Sequence, residues 1–117
     1  MRGPMLNRLL STLDLIEGVS GASILSNDGT VVVTTGDHPP VGALYAGLIH
    51  DAAKMATALE LGSIDQLWLE SEDKRRVAST LRGGGSLWVA ASVATPIGRL
   101  RHEAKAMRPI IEDLIEV

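Results

Sequence analysis

The segment that most constrains the fold is a long helix between two groups of short strands. The pattern predicts a helix from Val41 to Leu61, which Gly62 closes and the strand Gln66–Ser71 follows. Large apolar side chains recur on it at three- and four-residue spacing, which is typical of a face that packs on a core: Val41, Leu44, Tyr45, Leu48, Ala52, Met55 and Leu59.

The face of this helix beside the apolar one carries small residues where a solvated helix would carry Lys and Glu. These residues are Gly42, Ala46, Gly47, Ala53 and Thr57. Small side chains let a second backbone approach closely. We therefore predict that the helix has two burial partners, one of which is another subunit.

Composition limits the functions that are open to the chain. Its 117 residues predict one domain over residues 1–117, large enough to bury a core without a metal or a disulfide. The chain has no Cys, and its net charge of −3, with Lys and Arg spread along it, argues against nucleic-acid binding. No apolar run reaches the roughly 18 residues of a membrane span, and no signal-peptide core is present, so we expect a cytoplasmic protein. With aromatics at 3%, an aliphatic, closely packed core is expected in preference to a roomy ligand cavity.

The rest of the chain predicts a helix at each end and two groups of antiparallel strands. The first helix has an apolar stripe of Leu6, Leu9, Leu10, Leu13 and Ile16, with Gly18 just past its end. Five strand-like runs follow at Ala22–Ser26, Thr30–Thr35, Gln66–Ser71, Arg76–Arg82 and Ser86–Val93. The order αββαβββα favours an α+β fold with one five-stranded antiparallel sheet and helices on its faces.

The last helix has a buried stripe of Ile97, Leu100, Ala104, Met107, Ile111 and Leu114. Thr95 is predicted to cap it and Pro96 to occupy its first position. Pro109 is predicted to kink this helix or to end its first half near Met107. Arg101, Lys105 and Arg108 form a basic stripe that opposes the helix dipole; the stripe is either a solvated face or a surface for an acidic partner.

No group of residues predicts catalysis, a cofactor or a metal. Gly83–Gly85 leads into a strand and not a helix, so it is interpreted as a hairpin turn and not a phosphate cradle. His38, His50 and His102 lack metal-ligand spacing and are expected to be exposed. The acidic cluster Glu70, Glu72 and Asp73 is of a kind that protects a sheet edge. We assign no catalytic residue and expect a protein that is not an enzyme.

The strand that contains Trp68 follows a helix and has a hairpin connection only to the next strand, so it is predicted to lie at the sheet edge. Pairing with its own copy would remove the aggregation hazard of that edge. Trp68 lies at this seam or packs under the long helix, and both can hold at once.

The segment Val19–Gly29, the Ala-rich helix and the strand Gln66–Glu70, within the αββαβββα order, resemble the roadblock/dynein light chain domain family. The nearer branch is the prokaryotic one, similar to a gliding-motility regulator of a Ras-like GTPase. The resemblance covers nearly the whole chain and implies the strand order 2-1-5-4-3. It also implies a homodimer with paired third strands and adjacent long helices.

The resemblance implies a non-catalytic homodimeric regulator or scaffold of a small Ras-like GTPase. The predicted dimer interface consists of Gly42, Ala46, Ala53, Gln66, Leu67, Trp68, Leu69 and Glu70. The predicted partner-binding residues are Gly47, His50, Lys54 and Thr57. The alternatives are a structural light-chain scaffold in a larger complex and a small-molecule sensor; the sensor needs an internal pocket, which the aliphatic core disfavours.

Overall fold

Helices and strands follow one another along the chain in the predicted order αββαβββα. The structure, a computed structural model, describes residues 2–36 and 42–116. Within these ranges three α-helices and five strands follow one another: α1 (Arg2–Ser11), β1 (Val19–Leu25), β2 (Val31–Gly36), α2 (Gly42–Ala58), β3 (Gln66–Glu70), β4 (Lys74–Thr80), β5 (Ser86–Ser92) and α3 (Ile97–Glu116). A short 3-10 helix, Thr12–Leu15, follows α1.

The five strands form one antiparallel sheet in the order β2-β1-β5-β4-β3, which confirms the predicted topology and the edge position of β3. The other edge is β2, whose Val31 and Val32 are 39% and 48% exposed. Between β1 and β2, Gly29 adopts a φ of 91° in the predicted hairpin turn. The pairing of β1 with β2 shifts register between Ile24 and Leu25.

One face of the sheet is covered by α1 and α3 and contains most of the core. The predicted stripe of α1 is buried at Leu6, Leu10, Leu13 and Ile16, and Leu9 packs against the same cluster. In α3 the predicted stripe is buried from Leu100 through Ile111, whereas Ile97 at its start is 51% exposed. Alternate residues of β1, β4 and β5 complete this core, because successive side chains of a strand point to opposite faces.

Among the described residues, α2 is the helix that covers the opposite face, and here the predicted stripe is correct at Tyr45 and Ala52 but wrong at its large aliphatic residues. Leu44, Met55 and Leu59 are 65%, 65% and 69% exposed, while the buried residues of the helix are Ile49 and Ala56. Val41 lies outside the described residues. The row that faces the sheet consists of Tyr45 and Ala52, which belong to the predicted stripe, and of Ile49 and Ala56, which do not. Periodicity alone did not distinguish the two adjacent rows.

The helices on the first face also differ from prediction at their ends. The stripe of α1 continues into the 3-10 helix, so the α-helix ends at Ser11 and not near Ile16. Helix α3 does not end near Met107 but continues through Pro109 as one α-helix, which leaves the kink as a prediction. Thr95 does not cap it: its Oγ1 is buried without a hydrogen-bond partner among the described residues, and its carbonyl oxygen accepts a bond from Arg75.

Candidate functional site

Helix α2 is held on the sheet by a small aromatic and aliphatic cluster. The ring of Tyr45 stacks on that of Trp88 with centroids 4.1 Å apart and an angle of 19° between the planes. Trp88 is buried, and its Nε1 donates to Ser86 Oγ at 3.0 Å. Ile49 packs beside it in the same cluster. Few side chains therefore anchor α2, and much of its surface is free for another molecule.

The beginning of α2 is packed so closely on the β1–β2 turn that only glycine fits. A Cβ on Gly42 would collide with the carbonyl group of Gly29. Gly42 was predicted at the dimer interface because it is small, but the structure gives an intramolecular reason for its size. Ala46, predicted at the same interface, is half-buried, whereas Ala53 is exposed.

The face of α2 turned away from the sheet carries the four residues predicted to bind a partner. Gly47, His50, Lys54 and Thr57 are all exposed. A Cβ on Gly47 would meet no atom within 4 Å. His50 Nε2 lies 3.2 Å from Asn27 Oδ1, and Thr57 Oγ1 donates to the Ala53 carbonyl at 3.1 Å. This surface is therefore open and shallow, and the imidazole of His50, within hydrogen-bond distance of Asn27, lies at its border.

A third surface of α2 is apolar and unexpectedly exposed. We call it the leucine flank: Leu44, Leu48 and Met55 of α2 and Leu59 directly after it, whose N–H still donates to the Met55 carbonyl. At about 100° per residue these four side chains fall within roughly 60° of one another on the helix. The flank lies on the opposite side of α2 from His50 and therefore faces away from the Asn27 turn. Four large apolar side chains in one row, 39% to 69% exposed, are of the kind that marks a protein interface.

The edge strand β3 carries the other predicted interface residues, and alternation divides them between the two faces. Leu67 packs in the cluster under α2, and Leu69, on the same face, is 39% exposed. Trp68 packs with the core on the other face, so the alternative that it lies under the long helix is wrong. Its Nε1 donates to Gln66 Oε1 at 3.3 Å. Glu70 at the end of the strand is half exposed.

A buried arginine, which no sequence pattern singled out, reinforces this edge. Arg75 is 3% exposed, and its guanidinium lies 3.2 Å from Glu70 Oε2. Its Nη1 donates to the Thr95 carbonyl at 3.1 Å, and its Cζ lies 6.0 Å from the ring centroid of Trp68. A buried charge needs such partners. Arg75 thus ties β3 and β4 to the start of α3.

Beside β3 an open cleft of about 520 Å³ separates the strand from α3. Its walls are Asp65, Gln66, Trp68, Ile97, Arg101 and Lys105. Within the predicted basic stripe, Arg108 is neutralised by Asp65 at 3.5 Å and Glu112 at 3.6 Å. Arg101 and Lys105 are exposed and take part in no ion pair among residues 2–36 and 42–116.

Other kinds of site find little support in the described residues. A second, mainly apolar cleft of about 430 Å³ opens between the N-terminal part of α1 and the β1–β2 and β4–β5 turns. No three His, Asp or Glu side chains gather as metal ligands within the described ranges. No helix in that part of the chain is long and apolar enough to cross a membrane.

The sheet order 2-1-5-4-3, with one helix inserted between the second and third strands, defines the α+β class that contains profilins and roadblock domains. Profilin II of Acanthamoeba castellanii superimposes with a TM-score of 0.69 at 12% identity, over 97% of this chain and 98% of that one. Among these folds, the chain has that of the roadblock/LC7 domains. It matches the roadblock/LC7 domain of Streptomyces avermitilis with a TM-score of 0.79 and 25% identity, over 90% of this chain and 96% of that one.

Gliding-motility proteins of the MglB type share the same fold over nearly the full chain. MglB of Thermus thermophilus superimposes with a TM-score of 0.86 at 15% identity, covering 98% of this chain and 91% of that one. An MglB with a tetrameric arrangement gives a TM-score of 0.88 at 14% identity, covering 98% and 90%. The resemblance seen in the sequence is therefore confirmed for the fold.

In sequence, the chain is 26% identical over 105 residues to the uncharacterized proteins MJ0310 and MJ1340 of Methanocaldococcus jannaschii. The match covers 86% of this chain and 91% of each of those proteins. No family model matches the chain.

Proposed function

We propose that the protein is a non-catalytic homodimer that regulates or scaffolds a small Ras-like GTPase. Two copies join through their β3 edges and through the leucine flanks of α2. The outer surface of the joined helices, with Gly47, His50, Lys54 and Thr57, meets the GTPase. The observation that carries this proposal is the leucine flank, a row of large apolar side chains that the chain's own sheet leaves uncovered.

The energetics favour association through this flank. Full burial of one Leu or Met side chain contributes about 1.5–3 kcal/mol, and four such side chains per subunit are partly exposed. Burying what is exposed contributes several kcal/mol per subunit, of the order needed to offset the entropy of association. We therefore assign the helix contact of the proposed dimer to the leucine flank, in place of the small residues Gly42, Ala46 and Ala53.

The GTPase as partner is supported by the sequence resemblance to the prokaryotic roadblock branch and by the shared fold with MglB proteins. The surface of α2 also fits a protein partner better than a small ligand, because it is open and shallow around Gly47. The histidine of this surface, His50, lies within hydrogen-bond distance of Asn27, whose amide is neither an acid nor a nucleophile.

The dimer is tested by two neighbouring substitutions on α2. Met55→Glu places a charge on the leucine flank and is expected to yield monomers, because an unpaired carboxylate resists burial. Ala53→Glu lies two residues away on the small flank, the row formed by Gly42, Ala46 and Ala53, and is expected to leave the dimer intact. Sedimentation velocity over a concentration series measures both. The opposite pattern would restore the small flank as the interface, and a wild type that is monomeric at high micromolar concentration would refute the dimer.

The partner surface is tested with a bulky substitution that the fold tolerates. A Cβ at position 47 has no atom within 4 Å, so we expect the fold to accept Gly47→Arg and the variant to lose GTPase binding while the dimer persists. Gly98→Arg, at a second helical glycine with open space around it, is the matched control. Titration calorimetry and single-turnover hydrolysis with each Ras-like GTPase of the source genome, GDP- and GTP-loaded, measure binding and regulation. Wild-type protein that neither binds nor alters any of them contradicts the proposal.

A further inference from the structure

The cleft beside β3 brings to the edge of the sheet two cations that have no ion-pair partner within the described residues. Helix α3 runs antiparallel to β3: the start of α3 lies near Arg75, which binds the Thr95 carbonyl, and Arg108 lies at Asp65, just before the strand. Arg101 and Lys105 occupy the interval between, and both line the cleft. The cations are therefore aligned with the N-terminal half of β3.

The opposite end of the same strand is acidic. Glu72 and Asp73 form the exposed turn between β3 and β4, and neither enters an ion pair in the described part of the chain. Lys74 and Arg76 are close in sequence. Because Arg75 between them is buried on the α3 side, strand alternation places both on the other face of the sheet. Apart from these two cations on the other face, the unpaired charges of this hairpin end are therefore the carboxylates of the turn.

We infer that Arg101 and Lys105 form ion pairs with Glu72 and Asp73 of a second copy of this chain. The inference rests on the proposed dimer and adds to it an electrostatic device at the β3 seam. Two identical strands that pair antiparallel place the acidic end of one beside the N-terminal half of the other. The added strand lies about 4.8 Å beyond β3, within the reach of Arg and Lys side chains. The two-fold axis repeats the arrangement, so each dimer has two such sets of ion pairs.

These ion pairs account for the charge distribution of α3. Cations in the first half of a helix oppose its dipole, and within the described ranges the chain's own carboxylates relieve Arg108 but neither Arg101 nor Lys105. Ion pairs across the seam would also fix the register of β3 against its copy. A slip of one residue moves every side chain to the other face, and a short edge strand of five residues has few contacts with which to resist it.

A charge swap provides the test. One variant carries Arg101→Glu and Lys105→Glu; the other carries Glu72→Lys and Asp73→Lys. In the homodimer of either variant, like charges face each other at both sets of proposed ion pairs. Self-association of each variant is therefore expected to be about tenfold weaker than that of the wild type. Mixed together, the two variants face opposite charges at both sets, so heterodimers are expected to form with nearly wild-type affinity. Sedimentation equilibrium gives the affinities, and native mass spectrometry of the mixture gives the heterodimer fraction.

The control for the Arg101→Glu, Lys105→Glu variant is Arg8→Glu with Arg99→Glu, which makes the same change in net charge at residues that do not line the cleft and is expected to self-associate like the wild type. Raising the salt concentration is expected to reduce the differences between the variants, because exposed pairs are screened. If the wild type dimerises and the reversed variants match the control, or if the mixture shows no preference for heterodimers, the ion pairs are refuted while the dimer stands. A monomeric wild type refutes both.

Discussion

Two glycines of α2 are expected to respond in opposite directions to the same substitution. Both are small residues on one helix, and the sequence treats them alike. In the structure a Cβ on Gly42 collides with the Gly29 carbonyl group, whereas a Cβ on Gly47 meets nothing within 4 Å. Gly42→Ala is therefore expected to destabilise the protein and Gly47→Ala to stabilise it.

The magnitudes follow from the two environments. Replacing an exposed glycine in a helix interior by alanine gains about 0.8–1 kcal/mol, because alanine loses less backbone entropy on folding. At Gly42 the obstacle is backbone and cannot rotate away, so relief requires α2 or the β1–β2 turn to shift, at a cost of about 1–3 kcal/mol. At an unfolding entropy of about 2.1 cal/mol/K per residue, 1 kcal/mol corresponds to roughly 4 °C for a chain of this length. Gly47→Ala then raises Tm by about 4 °C, and Gly42→Ala lowers it by about 4–12 °C.

Thermal and urea unfolding at one fixed protein concentration measures both changes, since any self-association makes Tm concentration-dependent. Tryptophan fluorescence is a suitable signal because Trp88 stacks on Tyr45 of the same helix. If both variants lose stability, or both dissociate a wild-type dimer without a change in monomer stability, the intramolecular explanation of Gly42 is refuted. The two glycines would then act alike, as the sequence suggested.

Three further changes follow from polar groups described above. Thr95→Val is expected to raise the free energy of unfolding by about 1 kcal/mol in a urea titration, because it removes a buried hydroxyl without a partner. A decrease of similar size in the free energy of unfolding would show instead that the hydroxyl caps the helix. Glu70→Gln is expected to lower the free energy of unfolding by about 1 kcal/mol, since it leaves the buried guanidinium of Arg75 without its counter-charge. An unchanged urea midpoint would contradict this. Hydrogen bonds within its own turn lower the pKa of Asp28 from 3.8 to about 2. Its stabilising contribution is therefore complete above the unfolded-state value and is lost as the pH falls towards 2. Asp28→Asn should flatten the acid limb of the stability–pH curve, and a limb that superimposes on that of the wild type would rule this out.

The sequence predicted the architecture well wherever an amphipathic pattern had one physical solution. In α1 and α3 a single apolar stripe lies opposite a polar face, so the buried side follows from spacing alone. The Asn27–Gly29 turn and the Gly83–Gly85 turn specify hairpins through the positive φ that their glycines adopt. The edge position of β3 followed from its connections to the elements before and after it.

The orientation of α2 was not predictable in the same way. Two apolar rows lie side by side on it, and the row with the larger side chains is the exposed one. What decides between them is distant in sequence: the flat ring of Trp88, on which Tyr45 stacks, and the backbone at Gly29, which admits only Gly42. Arg75 escaped prediction because it lies in a run of charged residues, where exposure is the norm. Its burial depends on Glu70 and Thr95, which lie on other elements.

The free edge of strand β2 bears on the number of copies that the proposed self-association could include. The proposed pairing through β3 would be isologous, so it would occupy that edge on both copies and leave a continuous ten-stranded sheet with a β2 strand at each end. Growth beyond two copies would therefore have to begin at Val31 and Val32, and alternating β3 and β2 contacts would build an open ribbon. The irregular register between β1 and β2, which strengthens the local twist, opposes that growth. In the proposed dimer, one edge of the sheet would join the subunits, and the irregular register beside the other edge would limit the assembly to a finite size.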